Sequence, residues 1–354
     1  MADPLLDVRD LRVRFDTDEG VVRAVDGVDF DVGEGETVCL VGESGSGKTV
    51  ACESITRLLP DSAAVDGEIR FDGTDLTDCS VSELESYRGG RIGHVFQNPQ
   101  DALDPVYTVG EQVVEAIRIH RDVSKAAARE EAVALLDRVG IGEAAARFDD
   151  YPHQFSGGMK QRVVVAMALA ADPDLLIADE PTTALDVTIQ RQVLNLLADL
   201  QAERGMALLF VTHDLGVVAE IADRVVVTYA GKVMETAGVH DLFDDPAHPY
   251  TRALLACLPG RGAALETIGG SIPEPTDPPD GCRFHPRCPH AVDDCIGGNQ
   301  PAFRAVDGGR ADTDSGGQGG PEGDTDAGAT DHGVACLLYG EDHALPPELG
   351  VSDD

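Results

Sequence analysis

Short apolar runs alternate with longer amphipathic segments through roughly the first 240 residues. The runs of the right length for buried strands are residues 37–41, 175–178 and 207–211. Apolar positions spaced three or four apart predict helices within residues 109–147, over 157–171 and over 187–204. Because strands that are apolar on both faces need helices on either side, this pattern predicts an α/β fold with a mostly parallel sheet.

Two smaller parts flank this predicted core. Residues 5–41 are rich in β-branched side chains and carry turn signals at 18–20 and 33–35, which predicts short strands. Residues 98–160 show helical periodicity, and we expect them to form a separate helical lobe.

The composition changes after residue 245, where Pro, Cys and Gly become frequent. Residues 307–333 contain no Val, Ile, Leu, Met, Phe, Tyr or Trp. Such a segment cannot bury enough surface to fold, so it is predicted to be a flexible tract. We therefore expect a nucleotide-binding domain over residues 1–245 and a small cysteine-containing extension over 246–354.

The charge balance is strongly acidic. The chain has 64 acidic and 27 basic residues, a formal net charge of −37 and a sequence pI of about 4.3, and only four of the basic residues are lysines. Such a surface repels nucleic acid, so no nucleic-acid partner is expected. At ~1 M salt the Debye length falls to about 3 Å, which screens self-repulsion. We expect a halophilic protein of haloarchaeal type; an ordinary acidic protein is the alternative.

No membrane-spanning or secretory segment is predicted. The longest uncharged apolar run, residues 163–171, is far shorter than the ~20 residues that span a bilayer. We expect a cytosolic protein, or one that is peripheral to a membrane through other subunits. In that compartment the eight cysteines are expected to be thiols or metal ligands rather than disulfides.

A glycine-rich segment follows the first buried run and precedes a predicted helix. Its residues are Gly42, Glu43, Ser44, Gly45, Ser46, Gly47, Lys48 and Thr49. A strand, a glycine-rich turn, Lys-Thr and a helix together surround a phosphate chain with backbone N–H groups. Lys48 is expected to meet the β and γ phosphates, and the Thr49 hydroxyl is expected to bind Mg²⁺.

A second apolar run ends in two acids, Asp179 and Glu180, which is costly unless they meet a cation or polar partners. Residues 42–49, called the phosphate loop below, and this run together resemble motifs of the ATP-binding-cassette (ABC) ATPases. The resemblance covers most of residues 5–240. The resemblance implies that Asp179 supports Mg²⁺ and that Glu180 polarises the attacking water. It also implies the fold: a P-loop NTPase with a RecA-like core, an antiparallel β subdomain and a helical lobe.

Ser156, Gly157 and Gly158 resemble the signature motif of that family. A serine hydroxyl and bare glycine amides at a helix start form a second anion site. In the family this site faces the γ-phosphate held by another subunit, so two chains should pair head to tail around ATP. Met159 departs from the commonest signature, which has Gln there.

Four further residues receive roles from the same resemblance. Gln97 is expected to reach Mg²⁺ and the attacking water, and its loop to sense the membrane partner. Asp186 ends a D-loop that contacts the opposite subunit. His213 matches the switch histidine at the γ-phosphate. Phe15 is placed to stack on adenine, and a core phenylalanine is the alternative.

The C-terminal third of the chain indicates which group of ABC ATPases it resembles. Residues 248–255 and the four cysteines Cys282, Cys288, Cys295 and Cys336 resemble the extension of oligopeptide and dipeptide importer ATPases. By that resemblance the thiolates hold a four-iron four-sulfur cluster, for which four cysteines are the expected ligands. A structural Zn²⁺ site and free thiols are the alternatives.

The resemblance implies an ATPase that energises oligopeptide or dipeptide uptake at the cytoplasmic face of the membrane. Its expected partners are a second ABC ATPase in a heterodimer or homodimer, two permeases and an external binding protein. Nickel and oligosaccharides are alternative cargoes. A soluble cassette ATPase is less favoured because the residues between Lys48 and Ser156 contain no sustained heptad pattern. An iron–sulfur redox protein is supported by the cysteines alone.

Overall fold

The computed structural model describes residues 3–96, 102–182, 186–258, 268–306, 332–340 and 346. The strands of these ranges are β1 (Leu6–Thr17), β2 (Gly20–Val32), β3 (Thr37–Val41), β4 (Ala63–Phe71), β5 (Thr74–Asp75), β6 (Ile92–Val95), β7 (Leu175–Asp179), β8 (Ala207–Thr212), β9 (Arg224–Tyr229), β10 (Lys232–Gly238), β11 (Arg304–Ala305) and β12 (His332–Val334).

The α-helices of the same ranges are α1 (Lys48–Ile55), α2 (Val81–Tyr87), α3 (Val109–His120), α4 (Lys125–Arg138), α5 (Ala144–Arg147), α6 (Gly157–Ala168), α7 (Val187–Arg204), α8 (Leu215–Ile221), α9 (Val239–Asp244) and α10 (Pro249–Ala256). Within this part of the chain, no helix combines the length and the apolarity that crossing a bilayer requires.

The larger sheet contains the predicted parallel core. Its strand order is β11-β12-β10-β9-β3-β8-β7-β6, and β3, β6, β7, β8 and β9 run parallel. Every residue of β3, β7 and β8 is buried. The prediction of an α/β fold with buried parallel strands is therefore confirmed. The predicted helix over 187–204 is α7, which begins at an Asp186 cap and ends at Gly205.

The smaller sheet is antiparallel, with strand order β2-β1-β4-β5. Its first two strands have 12 and 13 residues, so the prediction of short strands was wrong. The strand β1 stays continuous because it pairs with β2 on one side and β4 on the other, through register shifts that absorb the irregularities. This sheet packs its apolar face against α1 and one face of the larger sheet.

The predicted helical lobe contains α3, α4 and α5. Thr108 and Ser124 cap the first two helices with their side chains. Val113, Ile117 and Leu136 are buried in one continuous core with residues of α6 and β3. The helices of the lobe therefore pack against the sheet that carries the nucleotide motifs.

Strands of the extension join the cassette sheet. The strand β12 pairs with β10, and β11 pairs with β12. Residues 307–331 of the predicted flexible tract lie outside the described residues. Its last two residues, His332 and Gly333, are ordered in β12, so the end of that prediction was wrong. The reason lies in long-range contacts: the His332 ring bonds to buried Glu235, and Gly333 lies against the Phe303 ring.

Candidate functional site

The motifs meet at the carboxyl ends of neighbouring parallel strands. The phosphate loop follows β3, and α1 begins at Lys48 with Gly47 as its N-cap. Two loop positions require glycine: a Cβ at Gly42 would lie 2.1 Å from the Thr228 carbonyl oxygen, and one at Gly47 would lie 2.3 Å from that of Ala24. The loop is therefore packed between β9 and β2, with its amides at a helix start where an anion is stabilised.

Lys48 is buried at the centre of the loop. Its Nζ donates hydrogen bonds to the carbonyl oxygens of Gly42 at 2.8 Å and Glu43 at 2.9 Å, and to Ser46 Oγ at 3.2 Å. Burial lowers the pKa of Lys48, and the charges of Glu180 and Asp179 oppose that effect. The ammonium thus lies beside two carboxylates and in contact with the loop that is expected to surround the phosphates.

Asp179 and Thr49 form a site that fits a divalent cation. Asp179 ends the buried strand β7, and burial raises its pKa while a hydrogen bond from Thr49 lowers it. Its Oδ1 is buried and has no hydrogen-bond partner among the described residues. A buried carboxylate oxygen without a partner is costly, and Mg²⁺ prefers carboxylate and hydroxyl oxygens. These two residues therefore fit the predicted Mg²⁺ role.

Glu180 and His213 lie together on adjacent strands. Glu180 follows β7, His213 follows β8, and His213 Nδ1 lies 3.1 Å from Glu180 Oε1. Glu180 is 14% exposed and has a positive φ of 45°, whereas His213 is 56% exposed. The backbone turn at Glu180 brings its carboxylate beside the imidazole, at the edge where the phosphate loop and Asp179 also lie.

Gln97 and Phe15 are the other two residues predicted to contribute to this site. Gln97 lies outside the described residues, although β6, which precedes it, pairs with β7 beside Asp179. Phe15 is half-buried near the end of β1, opposite Val22. The strand β2 continues from Val22 to Ala24, which contacts Gly47, so Phe15 belongs to the sheet that passes the phosphate loop.

The signature residues lie at the start of α6. Ser156 caps this helix by accepting a hydrogen bond from the Met159 N–H at 3.3 Å, and both Ser156 and Gly157 are exposed. Within the described ranges, no hydrogen bond joins residues 156–158 to the phosphate loop. Asp186 caps α7 by accepting from the Thr188 and Ile189 N–H groups; the two residues before it in the predicted D-loop lie outside the described ranges.

Comparison with known proteins decides the family. A family model described as "ABC transporter" matches residues 25–183, and one described as "Oligopeptide/dipeptide transporter, C-terminal region" matches residues 234–295. A probable peptide ABC transporter ATP-binding protein of Sinorhizobium fredii is 51% identical over 300 residues, which cover 83% of this chain and 90% of that relative. The chain belongs to the ATP-binding proteins of ABC transporters. It is an ATPase of that family.

Other relatives and solved structures support the same family assignment. The oligopeptide transport ATP-binding protein AppD of Bacillus subtilis is 48% identical over 311 residues, covering 86% of this chain and 94% of the relative. A solved ATP-binding cassette, dimeric in a post-hydrolysis state with ADP and phosphate, aligns with a TM-score of 0.61 and 30% identity. That alignment covers 66% of this chain and 98% of the solved one. The predicted P-loop cassette fold is confirmed.

Sequence reasoning missed several residues that contact the phosphate loop of the ABC cassette. Thr228 Oγ1 lies 3.0 Å from Ser46 Oγ, the Tyr250 hydroxyl accepts from the Glu43 N–H at 3.0 Å, and Arg287 bonds to the Glu43 carboxylate. Tyr250 and Arg287 lie in the segments that identified the importer family, but no local pattern connects them to Glu43. They are 207 and 244 positions away from it in the sequence.

The four cysteines of the extension lie close enough for their charges to affect one another. Burial, together with the charges of the other three thiols, raises the pKa of Cys336 to about 12. Burial likewise raises the pKa of Cys282 to about 11. Within the part of the chain that the structure describes, however, no three His, Cys, Asp or Glu side chains are arranged to hold a metal ion. In this arrangement the four thiols are not positioned to coordinate a metal ion together.

Proposed function

We propose that this ABC ATPase energises the import of oligopeptides or dipeptides through partner permeases, from the cytoplasmic face of the membrane. The observation that carries the proposal is the C-terminal region. Residues 234–295 match a region described for oligopeptide and dipeptide transporters, and relatives matched over most of their length are named as peptide transport proteins. A general ABC cassette would not require that region.

In the proposed reaction, ATP and water give ADP and phosphate. The loop of residues 42–49 and Lys48 bind the phosphates, while Phe15 stacks on adenine. Glu180 orients and polarises the attacking water, and His213 contacts the γ-phosphate. Asp179 and Thr49, with Gln97, would hold Mg²⁺, which neutralises phosphate charge when bound. Positioning and charge stabilisation account for the rate in this kind of phosphoryl transfer.

We further propose that two ATPase subunits complete each site. Ser156, Gly157 and Gly158 of one subunit, together with Asp186, would face the γ-phosphate held by the other. The support is their position: Ser156 and Gly157 are exposed at a helix start and have no hydrogen bond to their own phosphate loop within the described ranges. The second subunit is a similar ATPase or a second copy of this chain.

A groove beside the Mg²⁺ residues offers a place for a permease. It has a volume of about 780 Å³, and its lining includes Asp179, His94, Phe96 and Ile119. Phe96 is 42% exposed and Ile119 is 68% exposed, so this groove offers apolar surface. We propose that a permease segment binds here, against Phe96 and close to Asp179, so that its movement reaches the catalytic residues.

The direct test is reconstitution of the chain with its second ATPase, two permeases and the external binding protein in liposomes. We expect a di- to pentapeptide series to stimulate ATP hydrolysis and to accumulate inside the vesicles. The matched control is the same complex with Glu180→Gln. Stimulation by nickel or an oligosaccharide, with no response to peptides, would refute the peptide assignment while leaving the ATPase assignment intact.

We also propose that Cys282, Cys288, Cys295 and Cys336 hold a four-iron four-sulfur cluster, with Zn²⁺ as the alternative. Support comes from the proximity of four thiols, three of them in buried residues and Cys288 partly buried. Binding would have to draw the thiols closer than they lie here. Metal analysis of anaerobically purified protein should find iron, lost in a Cys282→Ser, Cys288→Ser variant and kept in Cys257→Ser. Protein without iron or zinc would contradict the proposal.

The net charge of −37 supports a further proposal, that the fold is adapted to molar salt. Self-repulsion should destabilise the protein as the Debye length grows on dilution. Its melting temperature should fall steadily as KCl is lowered from ~2 M to ~0.1 M, where the Debye length reaches about 10 Å. A constant melting temperature across this range would contradict salt adaptation.

A further inference from the structure

Glu43, the second residue of the phosphate loop, is held at three points. Its carbonyl oxygen accepts from Lys48 Nζ at 2.9 Å. Its N–H donates to the Tyr250 hydroxyl at 3.0 Å, and both oxygens of its carboxylate lie 3.0 Å from Arg287 Nη1. Only the first of these partners belongs to the loop itself. The other two come from the extension, Tyr250 from α10 and Arg287 from the cysteine segment.

Arg287 is fixed in place by its own surroundings. Its side chain is 4% exposed. Besides Glu43, it donates to the Gly269 carbonyl oxygen at 2.8 Å, the Ile268 carbonyl oxygen at 3.2 Å and the Tyr229 hydroxyl at 3.2 Å. Its guanidinium also lies 5.6 Å from the centre of the Tyr229 ring. The extension therefore presents a rigid positive group to the phosphate loop.

The backbone around Arg287 belongs to the cysteine segment. Arg287 ends a 3₁₀ turn, His285–Arg287, and is followed directly by Cys288. Phe284, the residue directly before this turn, forms an aromatic cluster with Tyr229 and Tyr250: its ring centre lies 5.3 Å from that of Tyr229 and 5.2 Å from that of Tyr250. The fold of this segment thus sets where the guanidinium lies relative to Glu43.

The ion pair between Arg287 and Glu43 should affect ATP binding through its charge. An uncompensated carboxylate on the phosphate loop would repel the triphosphate in a partly buried site, where charges are screened less than in water. Arg287 neutralises Glu43 and holds the start of the loop in one conformation. Glu180 and His213, which face the attacking water, lie on other strands. Losing Arg287 should therefore weaken ATP binding equally in the ground and transition states.

We propose that Arg287 of the C-terminal extension is a positioning residue for the ATP site, acting through Glu43 of the phosphate loop. The extension is then part of the nucleotide site as well as a family-specific appendage. This inference rests on the proposed assignment of residues 42–49 as the phosphate loop.

The test measures KM for ATP and kcat of the full chain in its reconstituted complex. Arg287→Gln should raise KM about tenfold, about 1.4 kcal/mol, with kcat changed less than twofold. In a Glu43→Gln background, Arg287→Gln should change KM less than twofold, because no carboxylate remains at position 43 to repel the phosphates. Arg287→Lys keeps a positive charge with fewer donors, so KM should rise about threefold.

The matched control is Arg283→Gln, since Arg283 is a similarly buried arginine of the extension that pairs with Asp26 instead of the loop. Its KM should stay within twofold of the parent. The inference is overturned if Arg287→Gln leaves KM unchanged, if Arg283→Gln raises KM equally, or if the effect persists with Glu43→Gln. Melting curves without nucleotide identify misfolded variants. If Arg287→Gln proves to be misfolded, an unchanged KM in Arg287→Lys overturns the inference.

Lys48→Ala separates this inference from the assignment beneath it. If Lys48→Ala still binds MgATP normally, the phosphate-loop assignment fails. If Lys48→Ala loses binding while Arg287→Gln keeps the parent KM, only the role of Arg287 fails.

Discussion

The cassette and the extension hold their functional groups by different means. In the cassette, Asp179, Glu180 and His213 follow adjacent parallel strands, so the backbone ladder sets their spacing. In the extension, the described segments are α10, short turns and two short strands; β12 pairs with β10 along the backbone, and side chains make further attachments. Arg287 bonds to Glu43, and His332 bonds to Glu235.

This difference predicts what each region does when it is altered. A cassette substitution at the strand ends should remove chemistry and leave the fold intact, because the ladder does not depend on those side chains. A substitution at an attachment point of the extension should first cost stability or nucleotide affinity. The predictions below test that division, beginning with the largest effect.

Glu180→Gln should lower kcat by roughly 10²–10⁴, the usual range for loss of an acid–base group, while MgATP affinity changes only a few-fold. Phosphate release and equilibrium binding measure the two quantities. Glu220→Gln is the control, since this carboxylate is exposed on α8 and pairs with Arg191. Undiminished turnover by Glu180→Gln would show that another group activates the water.

Much of the cassette could be predicted because its signals are local. The buried strand over 37–41, the helix over 187–204 and the order of the motifs all follow from residues close together in the sequence. The attachments of the extension could not be predicted in this way. Arg283 and Asp26 are 257 positions apart, and His332 and Glu235 are 97 apart. A pair of charges at such separation has no periodicity, so only the folded chain identifies it.

Glu235→Ala should destabilise the protein by about 3–5 kcal/mol, the usual cost of breaking a buried charged network. Glu235 is fully buried and accepts hydrogen bonds from the Ala247 and His248 N–H groups, and it contacts His332. Chemical denaturation measures the loss. Glu131→Ala removes a partly exposed pair with Arg121 and should cost at most about 1 kcal/mol. Equal costs for both variants would contradict the attachment role.

One buried histidine in each region should make the fold sensitive to acid. Burial lowers the pKa of His94 in the cassette and of His248 at the start of the extension, each to about 4. The unfolded chain takes up these protons near pH 6.5, so the associated stability is complete above that pH and is lost as the pH falls toward 4. Each histidine contributes at most about 3 kcal/mol of this loss.

Denaturation at pH 7 and pH 4.5 in molar KCl measures that sensitivity. His94→Asn and His248→Asn should each reduce the difference in unfolding free energy between the two pH values. If neither His94→Asn nor His248→Asn reduces this difference in unfolding free energy, carboxylates alone account for the acid sensitivity.

The central claim is that ATP is enclosed between the phosphate loop of one subunit and the signature residues of another. Light scattering of Glu180→Gln in molar KCl, with MgATP and with its second ATPase present, tests this most directly. Gly157→Asp and Gly142→Asp, each added to Glu180→Gln, are matched, because a Cβ at either glycine meets no neighbour within 4 Å. We expect ATP-dependent dimers with Glu180→Gln and with Gly142→Asp, and monomers with Gly157→Asp. A Glu180→Gln protein that binds ATP and stays monomeric would contradict the account.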